Sequence, residues 1–122
     1  MNPDFNILYV NDLAISTRFY TELFDLQPEE GSPTFTMFRF SSNTALGLKS
    51  VHSVEPEAMS GGSGGEMGFT MEHMNAVDSL YAKWTQRGLK IIQAPVHMNY
   101  GYTFVATDPD GYRIRVFTPA QF

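Results

Sequence analysis

The hydrophobic and polar positions of this chain run through the same order twice. Each half opens on a short stretch rich in β-forming residues, FNILYV from Phe5 and FTMEHM from Phe69, which predicts a strand. Apolar residues at helical spacing follow each stretch, and further β-rich segments follow each predicted helix. Because Phe5 and Phe69 open the two halves 64 residues apart, we expect one structural motif to be used twice.

The first half predicts a strand, a helix and three strands. Asn11 and Asp12 end the first strand, and both residue types commonly cap a helix by accepting hydrogen bonds from its free N–H groups. Apolar residues then recur every three or four positions over residues 12–25. Clusters of turn-forming residues divide the predicted strands at 26–30, 34–41 and 44–50, which completes a βαβββ module over about 5–50.

The second half predicts the same order over about 66–118. A strand at 66–73 leads to Asn75 as the expected helix cap, and the helical pattern stops at Gly88. A Gly/Ser linker at about 60–65 separates the modules; a strand follows it where a phosphate-binding loop would need a helix, and it contains no Gly-Lys-Ser or Gly-Lys-Thr sequence. The remaining strands are predicted at 89–94, 101–107 and 112–118, with a tight turn at 108–111.

Composition limits the classes of function. With 122 residues, of which 43% are hydrophobic, we expect one globular domain over 1–122. The absence of cysteine excludes disulfides, zinc–thiolate sites, iron–sulfur clusters and a cysteine nucleophile, and a cytoplasmic location is the default. No apolar run approaches the ~18 residues of a membrane span, so we expect no membrane partner. A net charge of −5 argues against a nucleic-acid partner.

Three parts of the sequence are typical of one family: Val10-Asn11-Asp12-Leu13 with Phe19-Tyr20, Val77-Asp78-Ser79-Leu80-Tyr81 before Gly88, and Gly101-Tyr102-Thr103-Phe104 before Asp108-Pro109-Asp110-Gly111-Tyr112. They resemble the vicinal oxygen chelate superfamily, which includes glyoxalase I, extradiol dioxygenases and the bleomycin-resistance binding proteins. The resemblance implies an α+β fold of two βαβββ modules in tandem, in which each curved mixed sheet forms half of a cup-shaped cavity. In the bleomycin-resistance branch, two chains contribute to each cavity, so a homodimer is expected.

The resemblance also implies where a metal would bind. Metal-dependent members carry His or Gln on the first strand of each module and Glu on the last. Here Phe5, Phe69 and Arg115 take three of these positions, and the fourth falls near Gly47, with no carboxylate between 43 and 54. We therefore expect neither a metal nor another cofactor. The histidines, His52, His73 and His97, have no metal-ligand spacing, and we interpret them as ordinary polar residues.

Strand alternation suggests an aromatic, thioether-lined cavity in place of the metal. The predicted ligand-binding residues are Phe5, Tyr9, Phe69, Met71, Tyr102, Phe104 and Arg115. Two alternatives stay open: several of the aromatic residues could fill the cavity themselves, and Arg115 could pair with a carboxylate such as Glu72 instead of a ligand. Trp84 lies on the apolar stripe of the second helix, where packing is the expected role.

The predicted function is metal-independent binding and sequestration of a small, drug-like or antibiotic-like organic ligand by a homodimer. Sequestration requires no catalytic residue, so we favour a protein that is not an enzyme. One alternative is a lyase, isomerase or dioxygenase of the same superfamily with an atypical metal site. Another is a diverged structural or interaction domain whose cavity is filled.

Overall fold

A computed structural model describes residues 1–62 and 64–120, and its elements follow the order βαβββ twice. The prediction of two tandem α+β modules is therefore confirmed. Of the linker predicted at 60–65, Ser63 lies outside the described residues. The elements are β1 (Phe5–Val10), α1 (Leu13–Phe24), β2 (Glu29–Ser32), β3 (Phe35–Ser41), β4 (Thr44–Ser50), β5 (Glu66–Thr70), α2 (Met74–Gln86), β6 (Lys90–Met98), β7 (Gly101–Thr107) and β8 (Arg113–Pro119), with a short 3-10 turn at Val51–Ser53.

The chain divides into two compact units, Met1–Gly61 and Gly62–Phe122, and each contains one four-stranded sheet. The strand orders are β1-β4-β3-β2 and β5-β8-β7-β6. In each sheet the first and last strands of the module pair in parallel, and the other neighbours pair antiparallel. The helix between the parallel partners supplies the crossover that such a pair needs.

The core of the first unit lies between its sheet and α1. Tyr20 of the helix is completely buried, as are Phe38 of β3 and Leu48 of β4. The helix begins where the sequence predicts, because the Asp12 carboxylate accepts a hydrogen bond from the backbone N–H of Ile15 at 3.0 Å. Burial of one helix stripe against one sheet face leaves the other face of the sheet uncovered by any helix of this unit.

The core of the second unit is built in the same way. Trp84 of α2 packs edge-on against Phe104 of β7, with the ring centroids 5.5 Å apart, and Val116 of β8 is fully buried beside them. The packing role expected for Trp84 is therefore the one observed. The β7–β8 turn also forms as expected: Gly111 takes a φ of 86°, and the Asp108 carboxylate accepts the N–H groups of Asp110 and Tyr112.

The cap of α2 and the end of β6 were predicted wrongly, and the strands predicted at 26–30 and 66–73 lie at Glu29–Ser32 and Glu66–Thr70. The residue at the cap position of α2 is His73, not Asn75, and its side chain makes no capping hydrogen bond. Strand β6 continues through Pro95 to Met98, whereas the predicted strand ends at Ala94. Proline is tolerated there because β6 is an edge strand whose pairing with β7 is irregular between Gln93 and Val96. None of the described helices is long and apolar enough to cross a membrane.

The internal repeat has a period of 61 residues, not 64. Strand β5 begins at Glu66 and α2 at Met74, each 61 residues after the start of β1 at Phe5 and of α1 at Leu13. Glu66 is therefore the counterpart of Phe5, and Phe69 is the counterpart of Leu8. Side chains alternate along a strand, so a shift by an odd number of residues reverses the face that is predicted. The shift of three residues therefore assigns Phe69 to the wrong face of its sheet.

Candidate functional site

Each sheet has one face covered by the helix of its own unit, and we call the opposite side the open face. Residues directly opposite one another on paired strands point to the same side, so the register assigns every strand residue to a face. In the second unit Val116 is paired with Phe69 and Phe104 under α2, whereas Arg115 is paired with Gly68 and Val105 on the open face. In the first unit, Gly47 and Ile7 are paired on the open face.

Aromatic and apolar side chains cover the open face of the first unit. The rings of Phe5 and Phe35 are nearly parallel, with centroids 6.3 Å apart. Gly47 lies beneath them, because a Cβ atom built there would stand 2.8 Å from the Phe35 ring and 3.1 Å from the Phe5 ring. The absence of a side chain at position 47 therefore lets both rings lie close to the sheet. Phe5 and Ile7 remain 43% and 47% exposed, which leaves an apolar surface.

Arg115 is the centre of the open face of the second unit. Its Nε donates to Glu66 Oε1 at 2.6 Å, and its Nη1 donates to the hydroxyl oxygens of Tyr100 at 2.7 Å and Thr103 at 3.1 Å. A longer contact of 3.5 Å joins Nη1 to Gln93 Oε1. The guanidinium carbon also lies 5.6 Å from the centre of the Tyr100 ring. These contacts fix the orientation of the guanidinium group, whose side chain is only 16% exposed.

The strand next to Arg115 leaves room for a ligand. Gly68 is the residue directly opposite Arg115 on β5, and a Cβ atom added there would meet only the edge of the Phe117 ring, at 3.8 Å. Phe117 lies on the same face, and its ring contacts Tyr100 edge-on at 6.4 Å. A charged donor, two aromatic rings and an open strip of backbone are thus gathered in one place.

The residues nominated from the sequence do not share one face. Phe5, Tyr9 and Arg115 lie on open faces by their pairing with Ala45, Lys49 and Gly68. In contrast, Phe69, Tyr102 and Phe104 lie on the face covered by α2, where Phe104 is fully buried and Phe69 packs against Trp84. Met71 follows the end of β5 and is half-buried. The physical reason for the discrepancy is the three-residue error in the repeat, together with the opposite directions of alternate side chains.

Sequence reasoning missed the partners of Arg115. The carboxylate that pairs with it is Glu66, not Glu72. Glu66 is the first residue of β5, which runs parallel to β8. The sequence contained a signal for this residue, because the 61-residue repeat makes Glu66 the counterpart of Phe5. Tyr100 belongs to the β6–β7 connection, and nothing in the local pattern around it points toward β8.

A separate pocket of about 540 Å³ lies at the start of α2 in the second unit. His73, His97 and Tyr102 are among its lining residues, and the His97 and Tyr102 rings are 4.7 Å apart. The Tyr102 hydroxyl donates to Asp78 Oδ1 at 2.6 Å. This hydrogen bond, followed by partial burial and the negative charge of Asp78, raises the pKa of Tyr102 above its usual value.

The residues present do not suit a divalent metal at the family's position. The first-strand positions were predicted at Phe5 and Phe69, but the register places Ile7 opposite Gly47 and Gly68 opposite Arg115. None of these four residues offers an oxygen or imidazole ligand from its side chain. A cation beside Arg115 would also be repelled. Over residues 1–62 and 64–120, no group of three or more His, Cys, Asp or Glu side chains is arranged to hold a metal ion.

Comparison with known proteins identifies the class of protein. The profile of the Glyoxalase/Bleomycin resistance protein/Dioxygenase superfamily matches residues 4–116, and the chain belongs to this superfamily. Protein ATC0852 from Agrobacterium tumefaciens, solved by NMR in solution, is 45% identical, with a TM-score of 0.90 and 99% of each chain covered. A superfamily enzyme from Burkholderia phytofirmans PsJN, at 22% identity, shares the fold with a TM-score of 0.80, over 96% of this chain and 98% of its own.

One similar protein has a more specific description. The phenazine antibiotic resistance protein EhpR from Enterobacter agglomerans is 29% identical over 119 residues, which cover 95% of this chain and 91% of that protein. The family resemblance stated from the sequence is therefore confirmed. A role in drug binding or antibiotic resistance is supported at the level of the superfamily. The superfamily includes both enzymes and binding proteins, so the activity has to be argued from the site.

Proposed function

We propose that this protein binds a small, planar organic molecule on its open sheet faces and sequesters it without a metal. The observation that carries the proposal is the arrangement around Arg115, in which a fixed guanidinium group adjoins the Tyr100 ring and the free space over Gly68. Such a site offers an orienting polar group beside surfaces on which a ring can stack. Ligand sites are commonly built from apolar surface with a few placed polar groups.

The stacking surfaces suit an aromatic ligand. An aromatic pair contributes about 0.5–1.5 kcal/mol beyond the burial of its area. The Phe5 and Phe35 rings offer one such surface, and Tyr100 and Phe117 offer another. The similar protein EhpR is a phenazine antibiotic resistance protein, and a phenazine is a flat system of three fused rings. We therefore propose a phenazine-like or other planar drug-like molecule as the ligand.

Binding alone accounts for the residues of the site. Removing a toxic molecule from solution needs burial and orientation but no bond-breaking step, and the described residues of the open faces include no cysteine or histidine to act as a nucleophile. The alternative of a metal-dependent lyase, isomerase or dioxygenase would need a ligand set that Arg115, Gly68, Ile7 and Gly47 do not supply. We further propose that the protein is a homodimer in the cytoplasm. We propose no nucleic-acid partner, because the net charge is −5.

A thermal-shift titration with phenazine tests this function. We expect the melting temperature to rise, since a ligand at 100 times its Kd adds about 2.7 kcal/mol of stability. Phe5→Ala should weaken binding to the open face of the first unit severalfold, whereas Phe40→Ala should not. Phe40 is a matched control because it is equally exposed, at 46% against 43%, but contacts Phe24 of the helix.

A metal measurement separates the proposal from the enzyme alternative. After incubation with Ni, Zn, Mn or Fe salts and desalting, elemental analysis should find no ion in stoichiometric amount. One tightly held ion per chain would overturn the metal-free proposal. A flat thermal response to phenazine and to other planar antibiotics would instead overturn the binding proposal.

A further inference from the structure

The open face of the second unit is charged at one end and apolar at the other. Pairing across its four strands forms rows of residues that lie side by side. Lys90, Thr107, Arg113 and Glu66 form the first row, next to the β7–β8 turn. The chemistry of this face therefore changes along the strands from one row to the next.

The rows that follow become progressively less polar. The second row contains Gln93, Val105, Arg115 and the open position Gly68. The third contains Val96, Thr103, Phe117 and Thr70, and the hydroxyl of Thr103 is engaged by Val116 O and by Arg115. Arg115 thus stands at the boundary between the charged end and an apolar end that includes the Phe117 ring.

The charges on this face oppose those of the whole chain. The protein has 8 Lys and Arg residues against 13 Asp and Glu residues. Yet the rows place Lys90, Arg113 and Arg115 on this face with Glu66 as the acidic residue among them. Asp108 and Asp110 lie beyond the first row in the turn, where the Asp108 carboxylate accepts two backbone N–H groups. The face itself is therefore cationic on an acidic protein.

The hydrogen bonds of Arg115 leave one nitrogen of its guanidinium group, Nη2, for a ligand. Its Nε is used by Glu66, and its Nη1 by Tyr100 and Thr103. Among the side chains that the structure describes, none accepts a hydrogen bond from the Arg115 Nη2. Guanidinium groups bind carboxylates strongly because the hydrogen bonds are charge-assisted.

We infer that the ligand of this site is a planar aromatic acid. The inference rests on the proposed function and specifies the chemical class of its ligand. The ring lies over Gly68 and against Phe117, and the acidic group points toward Arg113 and the Nη2 of Arg115. Glu66 limits the affinity for the acid, because it already neutralises part of the cationic charge. The negative charge of the ligand thus determines the selectivity for acids over neutral compounds, and the stacked ring provides attraction that does not depend on charge.

Isothermal titration with three matched compounds tests the inference: phenazine, phenazine-1-carboxylate and phenazine-1-carboxamide. The carboxamide has nearly the shape of the carboxylate but no charge. We expect the wild-type protein to bind the carboxylate about tenfold more tightly than the carboxamide, which is the order expected for one charge-assisted hydrogen bond. Phenazine itself should bind about as tightly as the carboxamide.

Two substitutions should move this ratio in opposite directions. Arg113→Gln should reduce the preference for the carboxylate severalfold, and Glu66→Gln should increase it severalfold, with little change for the carboxamide. Lys83→Gln is the matched control, because it removes one exposed positive charge from α2, away from the open face. It should leave the ratio unchanged. Circular dichroism checks that each variant remains folded.

The outcomes separate this inference from the proposed function. Equal affinity for the carboxylate and the carboxamide, or a ratio that neither Arg113→Gln nor Glu66→Gln alters, overturns the aromatic-acid inference while leaving ligand binding intact. Failure of all three phenazines to bind overturns the phenazine-binding function and the inference with it. A ratio that falls in Arg113→Gln and rises in Glu66→Gln supports both.

Discussion

Two phenylalanines nominated for the site have opposite environments, and this difference is testable at the scale of single residues. Phe104 is fully buried between the second sheet and α2, whereas Phe5 is 43% exposed on an open face. Phe104→Ala should lower the free energy of unfolding by about 3–5 kcal/mol, because it leaves a cavity in a packed core. Phe5→Ala should lower it by less than about 1 kcal/mol, as expected for a surface substitution.

Urea denaturation of the two variants and the wild type measures this difference. Ligand titration adds the second half of the test, since Phe5→Ala should lose affinity while retaining its fold. If Phe104→Ala were as stable as Phe5→Ala, the assignment of Phe104 to the helix-covered face would be wrong. The same assignment explains why Phe104 is not among the residues that we propose to contact the ligand.

The side on which a strand residue points could be predicted only as well as the register. Within one strand the faces follow from alternation alone, and Arg113, Arg115 and Phe117 of β8 share one face. Matching a strand of one module to its counterpart in the other was less reliable, because the match relied on a repeat that was misplaced by three residues. An odd error in register exchanges the two faces of a strand, so Phe69 was assigned to the open face that Gly68 occupies.

At the scale of elements, the two helices differ in how their N-termini are capped. Asp12 accepts the Ile15 N–H at the start of α1, whereas His73 makes no capping bond at the start of α2. Asp12→Ala should therefore lower the free energy of unfolding by about 0.5–2 kcal/mol. His73→Ala should change it little, and His73→Asp should raise it by several tenths of a kcal/mol or more, since Asp is a favourable cap.

Urea unfolding at neutral pH measures how much each cap contributes to the free energy of unfolding. Asp25→Ala would be a poor control, because Asp25 has a left-handed φ of 50°. The exposed Asp4, ahead of the first strand, is a better one, and Asp4→Ala should fall within about 0.5 kcal/mol of the wild type. Equal losses for Asp12→Ala and His73→Ala would contradict the asymmetry between the two helices.

Element order was predictable because it depends on local patterns. Strand β7 was predicted with its observed bounds, and α1 was within one residue at each end, since apolar spacing and Asp12 are both local signals. The end of β6 was missed for a non-local reason. Pro95 stops a strand in the middle of a sheet but is accepted on an edge, and position in the sheet is not visible in the segment itself.

At the scale of the whole molecule, the site was harder to predict than the fold. Glu66 and Arg115 are 49 residues apart in sequence, and the contact between Arg115 and Tyr100 depends on the path of the β6–β7 connection. Neither can be read from hydrophobic periodicity. The residue types were nonetheless informative, since Arg115 already argued for a charged partner and against a bound cation.

The exposed apolar residues on the open faces support the proposal of a homodimer. Ile7 is 47% exposed on the first open face and Met98 is 44% exposed beside the second, and such surface is commonly covered by a partner. We expect light scattering to give twice the mass of one chain. Ile7→Asp should weaken the dimer at least about tenfold, because an unpaired charge is costly to bury.

Ile15→Asp is the control, since Ile15 is equally exposed, at 48%, but lies on α1. A wild-type monomer, or equal dissociation by both substitutions, would contradict a dimer formed through the open faces. If Ile7→Asp alone dissociates the chains and also loses the ligand, the partner chain completes the binding site.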